Sequence, residues 1–117
     1  IIHIINYDYE IYQSTILKNE NILSTYDIIF YKYENTSYGG NSYSTGFISG
    51  KVDALIPFFN EFKSKKEYYT NGEGFNILER KIFNFYKNKN IKIKEIPFST
   101  LENKNKVNQE GVLQFSK

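Results

Sequence analysis

The sequence contains no cysteine and no methionine, a single arginine (Arg80), a single histidine (His3) and no long apolar run. Without cysteine, disulfides and thiolate metal sites are excluded. The compartment stays open, since such a chain survives inside or outside the cell. With no leader-like segment and no apolar stretch near membrane-span length, the expectation is no membrane segment, with the cytoplasm favoured. A chain that starts at Ile1 and lacks methionine reads as a processed chain or a fragment of something longer. The abrupt opening "IIHII", which reads as a core strand, favours a fragment.

The totals bound the rest. At 117 residues the chain is one domain at most, yet long enough to bury a core. Charged residues are 24% and aromatics 18%, which excludes intrinsic disorder as the general state. The net charge of +2 is too mild for a nucleic-acid partner, which would ask for clustered basic residues against phosphates.

Along the chain, "IIHII" (1–5) and "DIIFYKY" (27–33) read as short buried strands, with a weak helix over 10–26 between them. The Gly/Ser/Asn stretch 34–46 reads as a loop and, over 35–45, as the most mobile interior segment. In "VDALIPFFNEFKSKK" (52–66), Val52, Leu55, Phe59 and Phe62 share a helical face, with Ile56 beside them. Asp53 is placed to N-cap that helix and Pro57 to fall near its first turn. A second helix over 74–88 presents Leu78, Ile82 and Phe85 to the same core, with Glu79 to Lys81 at its surface. "IKIKEI" (91–96) alternates as a strand with one wet face, and Pro97 stops it. Residues 100–117 read as a polar, loose tail, with "GVLQF" able to return as a final short strand. The expectation is one α/β domain or fragment over 1–117, a small mixed sheet with helices packed on it.

Three places could carry chemistry. "NYDYE" (6–10) sets Asp8 and Glu10 at i, i+2 just beyond the first strand. A hard divalent cation such as Mg²⁺ or Mn²⁺ takes oxygen ligands, and a short acid pair leaves room for substrate phosphates. Ligands also gather beyond the carboxyl ends of strands in α/β folds. The plainer reading is two solvated loop acids. "TGFISGK" gives Gly46, Gly50 and Lys51 before a helix, but the spacing and the residue after the lysine exclude a P-loop. There, Gly46 could let the backbone approach a ligand while Tyr43 and Phe47 supply a face; the alternative is a mobile surface loop. "NGEGFN" (71–76) places Glu73 at a helix mouth, where the dipole favours a carboxylate, which also suits a capping turn alone. His3, alone inside an apolar strand, reads as a satisfied core residue. No Ser/His/Asp arrangement and no paired-His metal motif is visible in the sequence.

Taken in order, these stretches resemble the second half of a GT-A-type nucleotide-sugar glycosyltransferase. "IIHIINYDYEIY" is similar to the strand and acidic D-x-D motif of that family, with Glu10 in place of the second Asp. "YDIIF" (26–30) resembles its next strand. "YSTGFISG" resembles the acceptor-side N-[ST]-G-F stretch, and "NGEGFNIL" is a counterpart of D-Q-x-x-[LF]-N through Glu73 and Asn76. "IKIKEIPF" resembles the closing strand. The likeness covers residues 1–100; the family's later metal-binding His has no counterpart, nor has its uridine-binding first half. It implies part of a larger GT-A-like domain that moves a sugar from a nucleotide-sugar to a glycan or protein acceptor. Asp8 and Glu10 would then hold Mn²⁺ or Mg²⁺ on the diphosphate. Gly46, Phe47 and Asn76 would lie against substrate, and Glu73 near the reacting sugar as the catalytic residue. The reading from the residues alone leaves a second class open, a non-enzymatic α/β module binding a protein or glycan through its Tyr/Gly-rich loop.

Overall fold

The computed structural model describes residues 1–33, 41–62, 74–102, 106–107 and 113–114, with the side chains of 74–77 and of the last two pairs set aside. The order is β1 (Ile2–Ile5), α1 (Gln13–Ile22), β2 (Ile28–Tyr33), β3 (Ser42–Gly50), α2 (Val52–Phe62), α3 (Gly74–Lys87) and β4 (Ile93–Pro97). A 3₁₀ turn (Phe98–Thr100) follows, and β5 (Lys106–Val107) pairs antiparallel with β6 (Leu113–Gln114).

The main sheet runs β1-β3-β2-β4. Strand β3 is antiparallel to both neighbours and β4 is parallel to β2, so the sheet is mixed, as the sequence predicts. Because β2 is central, it is buried on both faces. Ile28 and Phe30 join Leu55, Phe62, Leu78, Ile82 and Tyr86 under α2 and α3. Ile29, Tyr31 and Tyr33 join Leu23, Phe47 and Phe98 on the α1 side. This is the two-residue side-chain period of a strand serving two cores.

Asp27 ties three strand ends together just before β2. Its N–H donates to the Lys92 carbonyl (2.7 Å), its carbonyl accepts from Lys51 N–H (2.9 Å), and its Oδ2 accepts from Lys92 N–H (3.0 Å). The Lys92 amide, helped by Lys51, holds the Asp27 carboxyl below its usual range.

Several expectations are corrected. Residues 42–46, expected in a loop, belong to β3, where Ser42, Tyr43 and Ser44 are buried. Ser42 and Tyr43 pair with Tyr33 and Lys32 of β2, the Thr45 N–H donates to Glu79 and the Gly46 carbonyl accepts from Asn6, and these bonds outweigh the turn-forming tendency of the small residues. The rest of the stretch expected to be mobile, 35–40, lies outside the described residues, as do 63–66. The first helix is shorter than 10–26.

Helix α2 buries Ala54, Leu55 and Phe62, while Val52, Ile56 and Phe59 stay exposed, Phe59 at 39%. Apolar residues lie on more than one side of α2, and packing selects the side that carries Leu55 and Phe62. The Lys51 carbonyl, rather than Asp53, begins the helix, accepting from the N–H of Ala54 and of Leu55 (both 3.1 Å). Asp53 lies in the first turn and Pro57 inside the helix. Glu79, expected at the surface, is only 7% exposed. Pro97 closes β4 as its last residue.

Candidate functional site

The chain leaves β1 through a tight turn in which Tyr9 N–H donates to the Asn6 carbonyl at 2.9 Å. Asp8 sits in this turn, ahead of α1, half-buried and with its Oδ1 buried; Glu10 is exposed. The turn is pinned to β3, since Asn6 N–H donates to the Gly46 carbonyl at 3.0 Å. The Tyr9 ring also lies directly over Gly46, where an added Cβ would overlap the ring. Two of the three stretches singled out in the sequence, 6–10 and 46–47, are therefore neighbours. Gly46 makes room for Tyr9 of the same chain.

Phe47 is fully buried, its ring centroid 5.5 Å from that of Tyr31 and 6.2 Å from that of His3. Asn76 lies in the first turn of α3 with its side chain outside the described residues, and Glu73 lies outside them altogether. As a metal set, Asp8 and Glu10 offer hard oxygen donors of the right type for Mg²⁺ or Mn²⁺. Among the described residues no group of three His, Cys, Asp or Glu side chains converges, so such an ion would draw its remaining ligands from water and substrate phosphates.

Beside Gly46, β3 departs from regular pairing. Ile48 stands opposite Phe30 and Tyr43 opposite Lys32, so β3 runs five residues where β2 runs two. That irregularity lets Ile48 and Tyr43 enter the same core although their separation is odd. Glu79 of α3 fills the irregularity. Its Oε2 accepts from the Thr45 backbone N–H at 2.8 Å and from the Thr45 hydroxyl at 3.3 Å. The Tyr33 hydroxyl also reaches Glu79, and the Tyr9 and Tyr33 hydroxyls both reach Ser44, whose Oγ accepts from Gly46 N–H at 3.1 Å.

Burial pushes the Glu79 carboxyl up to about 7, against the opposing pull of the Thr45 donors and of Tyr33. Burial likewise raises Tyr9 to about 12, Glu79 and Asp8 adding to it, and raises Tyr33 further. Chemically, Glu79 can exchange a proton near neutrality, but its partners are Thr45 and Tyr33, and what it holds is the shape of β3 beside Asp8. Spacing carried a signal for it: Glu79 lies three residues before Ile82 and seven before Tyr86, on the apolar side of α3.

A second constellation had no signal in the sequence. His3 Nδ1 lies 2.8 Å from Ser49 Oγ and His3 Nε2 lies 2.9 Å from Glu20 Oε2. Asn19 Nδ2 donates to the same Ser49 oxygen at 3.1 Å. With Nε2–H donating to Glu20, Nδ1 accepts from the Ser49 hydroxyl, the polarity of a Ser–His–acid relay. Ser49 is fully buried, so the relay presents no reachable nucleophile and serves to join α1 to β1 and β3. His3 is thus satisfied, as expected.

No helix among the described residues is long and apolar enough to cross a membrane. Comparison of the chain with known protein families, with characterised proteins and with solved structures finds no match in any of the three.

Proposed function

We propose that this chain is part of a metal-dependent glycosyltransferase that moves a sugar from a nucleotide-sugar to a glycan or protein acceptor. The observation carrying this reading is that the acidic turn with Asp8 and Glu10, at the carboxyl end of β1, is pinned to Gly46 of β3. An acid pair beyond a strand end, held in place by a neighbouring strand, is the kind of position from which an α/β protein reaches phosphates. Asp8 and Glu10 are the residues that would hold Mg²⁺ or Mn²⁺. Such an ion, when bound, neutralises charge on the diphosphate leaving group.

In this reading, the residues of the chain position and support. Tyr9 on Gly46 fixes the turn, and Glu79 fixes the β3 irregularity next to it. Glu73 and Asn76 are assigned near the sugar by the resemblance alone. Phe47, enclosed in the core, would support the acceptor side from behind rather than touch it.

The test is nucleotide-sugar binding by the source protein, titrated with and without Mn²⁺. Metal-dependent binding that disappears in Asp8→Asn is the expected result. If the protein binds no nucleotide-sugar at saturating Mn²⁺, the transferase reading fails and the non-enzymatic binding module takes its place. Tyr43, one of the tyrosines of that module's expected contact loop, is buried against Phe30 and would not meet a partner.

A further inference from the structure

A cavity of about 250 Å³ opens between α1 and the end of β4, sharing no lining residue with the Asp8 turn. Its volume is far above the roughly 30 Å³ share of one water molecule, so it admits a small organic molecule. From the cavity's chemistry, we infer that it binds a free amino acid with a small side chain, as the zwitterion.

Ser14, Thr15, Lys18 and Asn19 line the cavity together, as residues at i, i+1, i+4 and i+5 of one face of α1. Two hydroxyls, one ammonium and the first turn of a helix with no side-chain cap all favour a negative group at this wall. Glu102, with Thr100, lines the cavity from the segment after β4, and its carboxylate favours a positive group. Lys18 and Glu102 make no ion pair among the described residues.

The floor adds a hydrogen-bond acceptor. Asn19 and Tyr31 are 1% and 3% exposed. Asn19 Nδ2 donates to Ser49 Oγ at 3.1 Å and to the Tyr31 hydroxyl at 3.2 Å, whereas the return bond from Tyr31 to Asn19 Oδ1 is stretched to 3.4 Å. That oxygen, on a residue that lines the cavity, therefore retains accepting capacity. Ile96 and Leu101 supply the apolar part of the wall, enough for a small side chain.

Other ligand classes leave a group of the cavity opposed or idle. A simple anion meets Glu102, a simple cation meets Lys18, and a neutral sugar gives neither charge a counterpart. A molecule with a carboxylate at one end and an ammonium at the other answers both.

Calorimetric titration of the chain with glycine, alanine and serine tests this directly. Alanine or serine should bind, while N-acetylalanine, lacking the ammonium, and alaninamide, lacking the carboxylate, should each bind about tenfold or more weakly. Lys18→Gln should weaken alanine by a similar factor without further weakening alaninamide. Glu102→Gln should weaken alanine without further weakening N-acetylalanine. Both residues are exposed, so both variants should keep the parent's circular dichroism. The inference is overturned if free amino acids produce no heat into the millimolar range, or if glucose or inorganic phosphate binds as well as alanine. It is equally overturned if neither substitution changes alanine binding in a folded variant.

Discussion

The Glu79 carboxylate accepts the backbone N–H of Thr45 at 2.8 Å, so a helix side chain completes the hydrogen bonding of a strand that has left its regular register. A carboxyl raised by burial to about 7 binds its proton more tightly folded than unfolded. Between the ordinary carboxylate range and about 7 the folded state holds more protons, and stability falls as pH rises through that window.

From pH 5 to pH 8, urea unfolding should therefore show a loss from this group of up to roughly 3 kcal/mol, at 1.36 kcal/mol per pKa unit. Glu79→Gln keeps an acceptor for Thr45 and removes the charge, so it should flatten this part of the pH dependence and be more stable than the parent at pH 8. Glu79→Ala leaves the Thr45 N–H without its acceptor and should cost about 1–3 kcal/mol at both pH values. Parallel pH profiles for parent and Gln variant would exclude Glu79 as the titrating group.

Helix α2 separates two phenylalanines that a helical wheel puts on one side. Phe62 is 3% exposed and Phe59 is 39% exposed. Phe62→Ala should cost about 3–5 kcal/mol through lost burial and a residual cavity. Phe59→Ala should cost well under half of that, since much of its ring remains in water. Thermal unfolding of the two variants side by side measures the difference.

These residues show what could be read from the sequence. Strand β2 was legible because one chemical pattern, consecutive Ile, Phe and Tyr, serves a strand buried on both faces. The long apolar stripe of α3 was legible through Leu78 and Ile82 for the same kind of reason. The side of α2 that turns inward was not, because several sides carry apolar residues and only the sheet decides among them. Nor was the strand character of 42–46, which depends on pairing with the end of β2 and on bonds from Asn6 and Glu79, both distant in sequence. The contacts around Glu79 and His3 span 34, 17 and 46 residues of sequence, and no local period encodes such pairings. At the candidate site, the acid pair and Gly46 were legible as residue types in suggestive places. That the glycine accommodates Tyr9 was not.

The contact between Gly46 and Tyr9 gives the sharpest link between fold and proposed function. A Cβ at position 46 would overlap the Tyr9 ring, which is hemmed in by Gly46, Ser44 and Tyr33. Gly46→Ala should therefore cost about 1–3 kcal/mol, as overpacking does. If the ring is the cause, the cost should largely disappear in a Tyr9→Ala background, and the double-mutant cycle should show coupling close to the full single-mutant effect. Additive effects would mean that Gly46 is needed for another reason. The same substitution should displace the turn that carries Asp8, since Tyr9 belongs to it. At a temperature where the variant is still folded, metal-dependent nucleotide-sugar binding by the source protein should weaken in Gly46→Ala. Gly50→Ala provides the comparison, because its added Cβ would meet Leu55 at 3.0 Å, at the carboxyl end of β3 and away from the Asp8 turn. A loss of binding in Gly46→Ala that Gly50→Ala does not share, at matched stability, would place the effect at the Asp8 turn; equal losses would assign it to general destabilisation.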